Sequence, residues 1–280
     1  MKVFLFIFFF SFINIGNTQK VELIKKLPDS LNEISGLTFL NDSTLVAHND
    51  SGSEPILYFL SLKGELVHQV EIEDAKNVDW EAIASDGNFL YIGDIGNNNN
   101  KRKNLAIYKV STKDILKQKS VKSEKILINY RDQKAFPPAD SSLNFDAEAI
   151  VYYQDSLHVF TKCRNKPFDG NSYQYTVSTQ PGEYTLTKKN FVFIGKNGFY
   201  KDAVTDVTVH KDIFWFLTYN RIIGYKLVSN KFEYVQTISL KPYTQKEGLV
   251  TNDNQIFYIS DEKQRILGGG KLYKLKINEN

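Results

Sequence analysis

Short runs of alternating apolar and polar residues occupy most of the chain from Val21 onward, and Gly, Asn, Asp and Pro separate them. A period of two is the pattern of a β-strand that buries one face, and the separating residues are typical of turns. No segment shows a long helical period, although Thr112–Gln118 is compatible with one short helix. The pattern therefore predicts an all-β fold.

Five segments of the chain repeat one pattern: an acidic residue stands just ahead of a short apolar strand, and a second strand follows that ends in polar residues. The segments begin at Glu33, Asp79, Asp146, Thr205 and Lys246, and their second strands end at 48–50, 93–94, 161–162, 218–219 and 260–262. Two further strands follow in each unit except the last. Four-stranded units of this kind are typical of propeller blades.

The repeats also predict how the ring is built. Five units indicate a five-bladed β-propeller, and a six-bladed one is the alternative if the long stretch Ser111–Phe145 contains a further unit. The fifth unit is one strand short, whereas Val21–Leu27 is a spare strand ahead of the first unit. We therefore expect this N-terminal strand to complete the last blade and close the ring.

The first residues have the features of a secretory signal peptide: Lys2, an apolar run from Val3 to Ile13, and small residues before Gln19. We expect residues 1–18 to be removed and residues 19–280 to form a single exported propeller domain. Its final compartment would be the periplasm, the cell surface or the medium.

Composition narrows the classes of partner. No segment after the signal peptide is apolar enough to cross a membrane. Cys163 is the single cysteine, which excludes an intramolecular disulfide. The formal net charge of +3 is too small to indicate nucleic-acid binding. We expect a monomer that binds a small-molecule or phosphorylated ligand.

The repeated acidic residues are expected to meet at one mouth of the central channel. In an antiparallel blade, the start of the first strand and the end of the second lie on the same face. The inner ring would consist of Glu33, Glu81, Glu148, Asp206 and Glu247, with Asp50, Asp94, Asp261 and Glu262 behind it and Asp79 and Asp146 at the entry. Carboxylates held together raise one another's pKa unless a cation joins them, and oxygen-rich clusters suit calcium.

Other interpretations stay open. A carboxylate at a strand start can instead accept hydrogen bonds from backbone N–H groups of the adjacent blade. His48 could act as a general base, and Lys162 could neutralise the ring or contact an anionic substrate. Arg102 and Arg164 lie on adjacent loops and could bind phosphate or carboxylate through two hydrogen bonds. No Gly-x-Ser-x-Gly, phosphate-binding loop or zinc spacing occurs in the chain.

Several short motifs resemble exported bacterial propellers of the esterase-like phytase and SdiA-regulated type. They are Asp79–Ala84, Leu90–Asn98, Arg102, Ile107-Tyr108, Asp146–Ile150 with Thr161-Lys162, and Glu247–Leu249 with Ser260–Glu262. The resemblance implies a secreted propeller that depends on calcium and hydrolyses phosphoesters or esters. Gluconolactonase-type propellers are also similar in outline, and Glu247-Gly248 fits their pattern.

The chain departs from the family pattern in two places. Asn97 stands where another Asp is expected, and Thr205-Asp206 replaces the Asp-x-Glu pair of other units. Both changes weaken a metal site inferred from the resemblance.

Two hypotheses about function follow. In the first, the protein is a hydrolase in which calcium polarises a phosphoryl or acyl oxygen and activates water, with His48 and Lys162 as candidate catalytic residues. The candidate metal ligands are Glu81, Asp94, Glu148, Asp206 and Glu247, and the candidate ligand-binding residues are Glu33, Asp50, Asn97, Arg102, Asp261 and Glu262. In the second, it is a non-enzymatic ligand-binding or scaffold propeller at the cell envelope, and the same ring is structural or holds a cationic ligand.

Overall fold

The computed structural model describes residues 21–277, which form five sheets arranged in a ring. The chain opens with β1 (Glu22–Lys26), and blade 1 follows with β2 (Ile34–Asn41), β3 (Thr44–Asn49), β4 (Ile56–Ser61) and β5 (Leu66–Ile72). Blade 2 contains β6 (Trp80–Ser85), β7 (Phe89–Asp94), β8 (Leu105–Ser111) and β10 (Glu124–Tyr130). Between β8 and β10 the chain forms α1 (Thr112–Ile115) and β9 (Ser120–Val121), and β9 joins blade 1.

The second half of the chain has the same plan. Blade 3 contains β11 (Asp146–Tyr153), β12 (Ser156–Lys162), β13 (Asn171–Ser178) and β15 (Lys188–Phe193). Between β13 and β15 the chain forms β14 (Gly182–Leu186), which joins blade 2. After α2 (Phe199–Asp202), blade 4 contains β16 (Asp206–His210), β17 (Ile213–Thr218), β18 (Arg221–Val228) and β19 (Lys231–Ser239). Blade 5 contains β20 (Lys246–Thr251), β21 (Ile256–Asp261) and β22 (Lys271–Lys276), and short 3-10 turns occupy Asp29–Leu31 and Asp140–Ser142.

The five-bladed propeller is confirmed. The first strands β2, β6, β11, β16 and β20 contact one another around the ring, and they line the channel. The ring is closed as expected, because β1 pairs antiparallel with β22, Glu22 opposite Lys274, at the outer edge of blade 5. None of the described helices is long and apolar enough to cross a membrane.

The six-bladed alternative is wrong, because the stretch from Ser111 to Phe145 supplies edges to blades that already exist. In this stretch β9 lies parallel to β5 at the edge of blade 1, and β10 is the fourth strand of blade 2. A later segment, β14, extends blade 2 by pairing parallel with β10. The short helix expected near Thr112 is α1, whose first turn is capped by the Ser111 side chain.

Aromatic side chains fill the interfaces between blades. The rings of Phe160 in blade 3 and Phe216 in blade 4 lie 5.2 Å apart, and those of Trp215 in blade 4 and Phe257 in blade 5 lie 5.0 Å apart. Gly224 allows this packing, because a Cβ atom there would lie 2.7 Å from the Trp215 ring. A rigid aromatic core of this kind holds the loops of the channel mouth in fixed positions.

Candidate functional site

In three first strands, a β-bulge close to the channel mouth leaves a glutamate outside the ladder. The pairing register shifts between Trp80 and Ala82 in blade 2, between Ala147 and Ala149 in blade 3, and between Lys246 and Gly248 in blade 5. The residue left outside each ladder is a glutamate: Glu81, Glu148 or Glu247. Because a bulge re-aims the side chain of its extra residue, these three glutamates reach the channel.

The three glutamates line a cavity of about 220 Å³, which we call the mouth cavity. Its other lining residues come from loops and strand ends on the same face: Asp50, Asn98, Lys162, Arg164, Phe199, Tyr219 and Gln245. Four carboxyl groups and two cationic groups therefore share this small space. If all six groups were ionised, the lining of the cavity would carry a net negative charge, which a bound cation or protons would balance.

One side of the mouth cavity has its own cations. Lys162 Nζ lies 2.8 Å from Glu148 Oε2, and both side chains are almost completely buried. Burial alone would lower the pKa of Lys162, but the charges of Glu148 and Glu247 outweigh it and hold this pKa well above its usual value. Arg164 pairs with Asp146 through Nε, and its Nη2 lies 3.7 Å from Glu148 Oε1.

A second acidic group, two members of which line the cavity, forms no ion pair with the described residues. One carboxylate oxygen from each of Asp50, Asp79 and Glu81 lies within 4.8 Å of the other two. The Glu81 side chain is 4% exposed and forms no hydrogen bond or ion pair with the described residues. Burial, followed by the charge of Glu148, raises the pKa of Glu81 well above its usual value. Burial and the charge of Asp50 raise the pKa of Asp79 to about 6.

These three carboxylates fit a hard divalent cation such as calcium. Calcium prefers oxygen ligands and binds carboxylates from several elements at once. The space beside two of them is kept open by Gly96, where a Cβ atom would lie 2.5 Å from Asp79 Oδ2 and 2.6 Å from Glu81 Oε1. Of the predicted metal ligands, only Glu81 belongs to this group, which Asp50 and Asp79 complete.

Blade 5 contributes Glu247 to the lining of the cavity, and Glu262 lies near Glu247 without lining the cavity itself. Gln245 Nε2 donates a 2.8 Å hydrogen bond to Glu247 Oε1, and burial raises the pKa of Glu247. Burial, together with the charge of Glu247, raises the pKa of Glu262 to about 8. Glu262 Oε2 is buried and has no hydrogen-bond partner among the described residues.

Three predicted site residues instead build the loop behind Asp79. Arg102 Nη2 lies 2.8 Å from Asp94 Oδ1, which also accepts a hydrogen bond from the Asp79 backbone N–H. Asn97 accepts from the Arg102 backbone N–H, and its side-chain amide donates to the Phe145 carbonyl. Asp94, Asn97 and Arg102 do not line the mouth cavity, and their contacts hold the loop that carries Gly96 and Asn98.

The carboxylate oxygens of Asp206 and Asp261 accept hydrogen bonds that stabilise the fold. Asp206 accepts 2.7 Å hydrogen bonds from the backbone N–H groups of Val207 and of Leu249 in the next blade. Burial raises the pKa of Asp206, and these two hydrogen bonds act against that shift. Asp261 accepts from the Lys271 backbone N–H and from the Tyr273 hydroxyl. Asp206 therefore has the architectural role that stood as the second interpretation of the strand-start acids, and Asp261 has a similar role at the end of β21.

Glu33 and His48 also lie away from the mouth cavity. Glu33 is exposed and accepts a 3.2 Å hydrogen bond from Ser53. The His48 ring is fully buried, 5.6 Å from the Trp80 ring between blades 1 and 2. Burial lowers the pKa of His48 to about 4, and its Nδ1 lies 3.0 Å from the Asn49 carbonyl oxygen. This position fits a core histidine and gives no support to a role as general base.

Sequence reasoning did not select four residues that line the cavity: Asn98, Phe199, Tyr219 and Gln245. The Lys162 ammonium lies 5.7 Å from the Phe199 ring centre and 5.6 Å from that of Tyr219. A signal existed for Tyr219, which occupies the same second-strand end in blade 4 as Lys162 does in blade 3. Phe199 gave none, because α2 belongs to a loop without a repeat.

Comparison with known proteins agrees on the fold. No family model matches the chain, and no curated protein matches it significantly. Among solved structures, it is similar to Myxococcus xanthus glutaminyl cyclase, with 12% identity, a TM-score of 0.56 and coverage of 94% of this chain and 99% of that one. A calcium-binding regucalcin from Agrobacterium tumefaciens has 12% identity and a TM-score of 0.49 over 93% of this chain and 94% of its own. At 12% identity the similarity to the cyclase shows the fold alone, and the five sheets of the ring define the chain as a five-bladed β-propeller.

Proposed function

We propose that the mouth cavity is a metal-assisted hydrolytic site, and that the protein is an exported monomeric hydrolase of phosphoesters or carboxylic esters. The observation that carries the proposal is the convergence of Asp50, Asp79 and Glu81, two of which line a cavity that also holds an almost completely buried lysine. Two of the motifs that resemble the esterase-like phytase type, Asp79–Ala84 and Asp146–Ile150, supply residues to this cavity and its supporting ion pairs.

Asp50, Asp79 and Glu81 would hold the cation. Burial and neighbouring negative charges raise the pKa of all three carboxyl groups, and a bound cation would favour their charged forms. A bound calcium ion supplies Lewis-acid polarisation of a phosphoryl or acyl oxygen and lowers the pKa of bound water. Gly96 keeps this position accessible from the cavity.

The remaining polar residues have distinct tasks in the same cavity. Lys162 stays protonated beside Glu148 and would donate a hydrogen bond to the oxygen on which negative charge develops. Arg164 orients Glu148 and presents positive charge to an anionic substrate. Glu247, with its raised pKa, would give or accept the proton that the leaving group or water requires.

The test measures binding and turnover separately. Calorimetry with calcium should detect one site, and a panel of phosphate esters, carboxylic esters and lactones should show calcium-dependent hydrolysis. Glu81→Gln and Asp50→Asn should each lose the calcium site, whereas Asp42→Asn, an exposed turn residue between β2 and β3, should keep it. Calcium binding without turnover on any class of substrate would contradict the hydrolase.

A non-enzymatic binding propeller is the second candidate, and the architectural roles of Asp206 and Asp261 favour it. If every mouth acid served the fold, neither calcium nor EDTA would move the melting temperature. A melting temperature that rises with calcium and falls with EDTA contradicts a purely structural ring, because a ligand that binds only the folded state stabilises it.

A further inference from the structure

A second and larger pocket opens beside the mouth cavity. Its volume is about 520 Å³, and we call it the outer pocket. Its lining combines cationic and apolar side chains. Asn98, Arg164 and Phe199 also line the mouth cavity, so the two spaces meet at these three residues.

The outer pocket has the opposite charge to the mouth cavity. Lys101, Lys166 and Arg164 line it, against the single carboxylate of Asp140. Lys101 forms no ion pair with the described residues. Lys166 Nζ lies 3.8 Å from Asp140 Oδ2, but both side chains are more than 70% exposed, and such pairs are weak. An anionic group that enters the pocket therefore meets two lysines that have no strong internal partner, whereas Arg164 is already paired with Asp146 and Glu148.

The pocket also has an apolar wall, formed by Pro137, Leu143, Phe168 and Phe199. A small inorganic anion would use the lysines and leave this wall in water. A ligand that joins an aromatic or alkyl body to an anionic group would use both surfaces, and binding sites commonly combine apolar walls with a few placed charges in this way.

We infer that the outer pocket binds the non-reacting part of the substrate, an aromatic or alkyl body that carries a carboxylate or phosphate group. The reacting ester would extend past Phe199 into the mouth cavity, where Lys162 and the carboxylates lie. The assignment of the reacting end rests on the proposed function, whereas anion binding in the outer pocket can be measured without turnover.

The experiment is calorimetry on the whole protein at low salt with four probes. Benzoate and phenylphosphonate carry an apolar body, and acetate and inorganic phosphate are the matching anions without one. The double variant Lys101→Ala/Lys166→Ala should bind benzoate and phenylphosphonate about tenfold more weakly, since charge-assisted hydrogen bonds are lost. Lys134→Ala removes an exposed charge from the loop before β11, outside the pocket, and should bind them unchanged.

Two further variants test the effect of the opposing charge in the outer pocket and the contribution of its apolar wall. Asp140→Asn removes the one opposing charge and should tighten binding of all four anions. Phe168→Ala should weaken the two probes with a body and leave acetate and phosphate unchanged. The affinities of benzoate and phenylphosphonate are then compared. The probe that binds more tightly indicates whether the substrate's anionic group is a carboxylate or a phosphate.

The inference is overturned if the double lysine variant binds the probes as tightly as the parent protein, or if the bodies add no affinity over acetate and phosphate. Failure of the proposed function looks different. Calcium would then leave the protein unchanged and no ester would be hydrolysed, while the probes would still bind in the outer pocket and still depend on Lys101 and Lys166.

Discussion

Blades 2 and 4 present an acidic residue at the same point of their first strands, but they use it in opposite ways. In blade 2 the bulge leaves Glu81 outside the ladder, and the side chain enters the mouth cavity without a hydrogen-bond partner in the described residues. In blade 4 the register runs without a shift, Asp206 opposite Leu217, and both carboxylate oxygens accept backbone N–H groups. One extra residue in the strand decides between a site residue and a structural one.

Blades 3 and 5 follow blade 2, with Glu148 and Glu247 at their bulges. Blade 1 also has a bulge, but Gly36 occupies it with a φ of 74°, in the left-handed region that glycine tolerates best. The mouth cavity therefore draws its glutamates from three blades, which gives it a chemically uneven wall although the ring is built from repeats.

The largest effect on stability is expected in blade 3, whose first strand has a bulge as in blade 2. Lys162→Met should lower the free energy of unfolding by about 3–5 kcal/mol near neutral pH, because Glu148 is left buried without its partner. Urea unfolding measures the loss, and adding Glu148→Gln should recover most of it. Lys263→Met breaks the exposed pair with Asp29 and should cost little, as the control. An equal loss in the single and double variants would refute the coupling.

In blade 4, Asp206→Ala should lower the free energy of unfolding by about 3 kcal/mol, because two buried N–H groups lose their acceptor. Calcium should raise the melting temperature of this variant as much as that of the parent. Loss of the calcium response would place Asp206 among the metal ligands and remove the distinction between the two blades.

The pH dependence follows from Asp79, with its pKa raised to about 6, and Glu262, with its pKa raised to about 8. Because the folded state holds these two protons more tightly than the unfolded chain, each group contributes stability that is present at acidic pH and lost as the pH rises through its folded-state value. Buried His48, with its pKa lowered to about 4, acts in the opposite direction below about pH 6.5. Without calcium, urea unfolding should therefore show a decline in stability between about pH 6.5 and pH 8, and Glu262→Gln should flatten it. A stability that rises over the same range would contradict the assignment.

The smallest effect is expected in blade 1. Glu33→Gln should change the free energy of unfolding by less than about 0.5 kcal/mol and leave calcium binding unchanged, because Glu33 is exposed and lies outside the bulge. Thermal melting with and without calcium measures both quantities. A lost calcium response would show that the inner ring extends to blade 1.

The repeats were sufficient to predict the five blades, the closure by the N-terminal strand and the face on which the acids gather. They could not show which acids face the channel, because a bulge adds one residue to a strand start too short to display its period. Glu81 and Asp206 were therefore treated alike, although their backbones differ in register.

His48 shows a different limit. Its place at the end of β3 suggested that it reaches the mouth, but residues two apart in a strand face the same side. Val46 packs in the core between blades 1 and 2, and His48 follows it there. Phe199 was missed because it is far from Lys162 and Arg164 in sequence. The fold alone brings its ring against these two side chains, and no local sequence pattern predicts the contact.

Ring closure by β1 also has a kinetic consequence. The pairing of β1 with β22, in which Glu22 lies opposite Lys274, joins nearly the two ends of the described chain, so it forms only after the intervening chain has been ordered or brought together. Contacts of such long sequence separation slow folding. We therefore expect the fifth blade to be completed late in folding, with the outer edge of β22 unpaired until β1 binds to it. The channel mouth should reach its final shape only after β1 and β22 have paired.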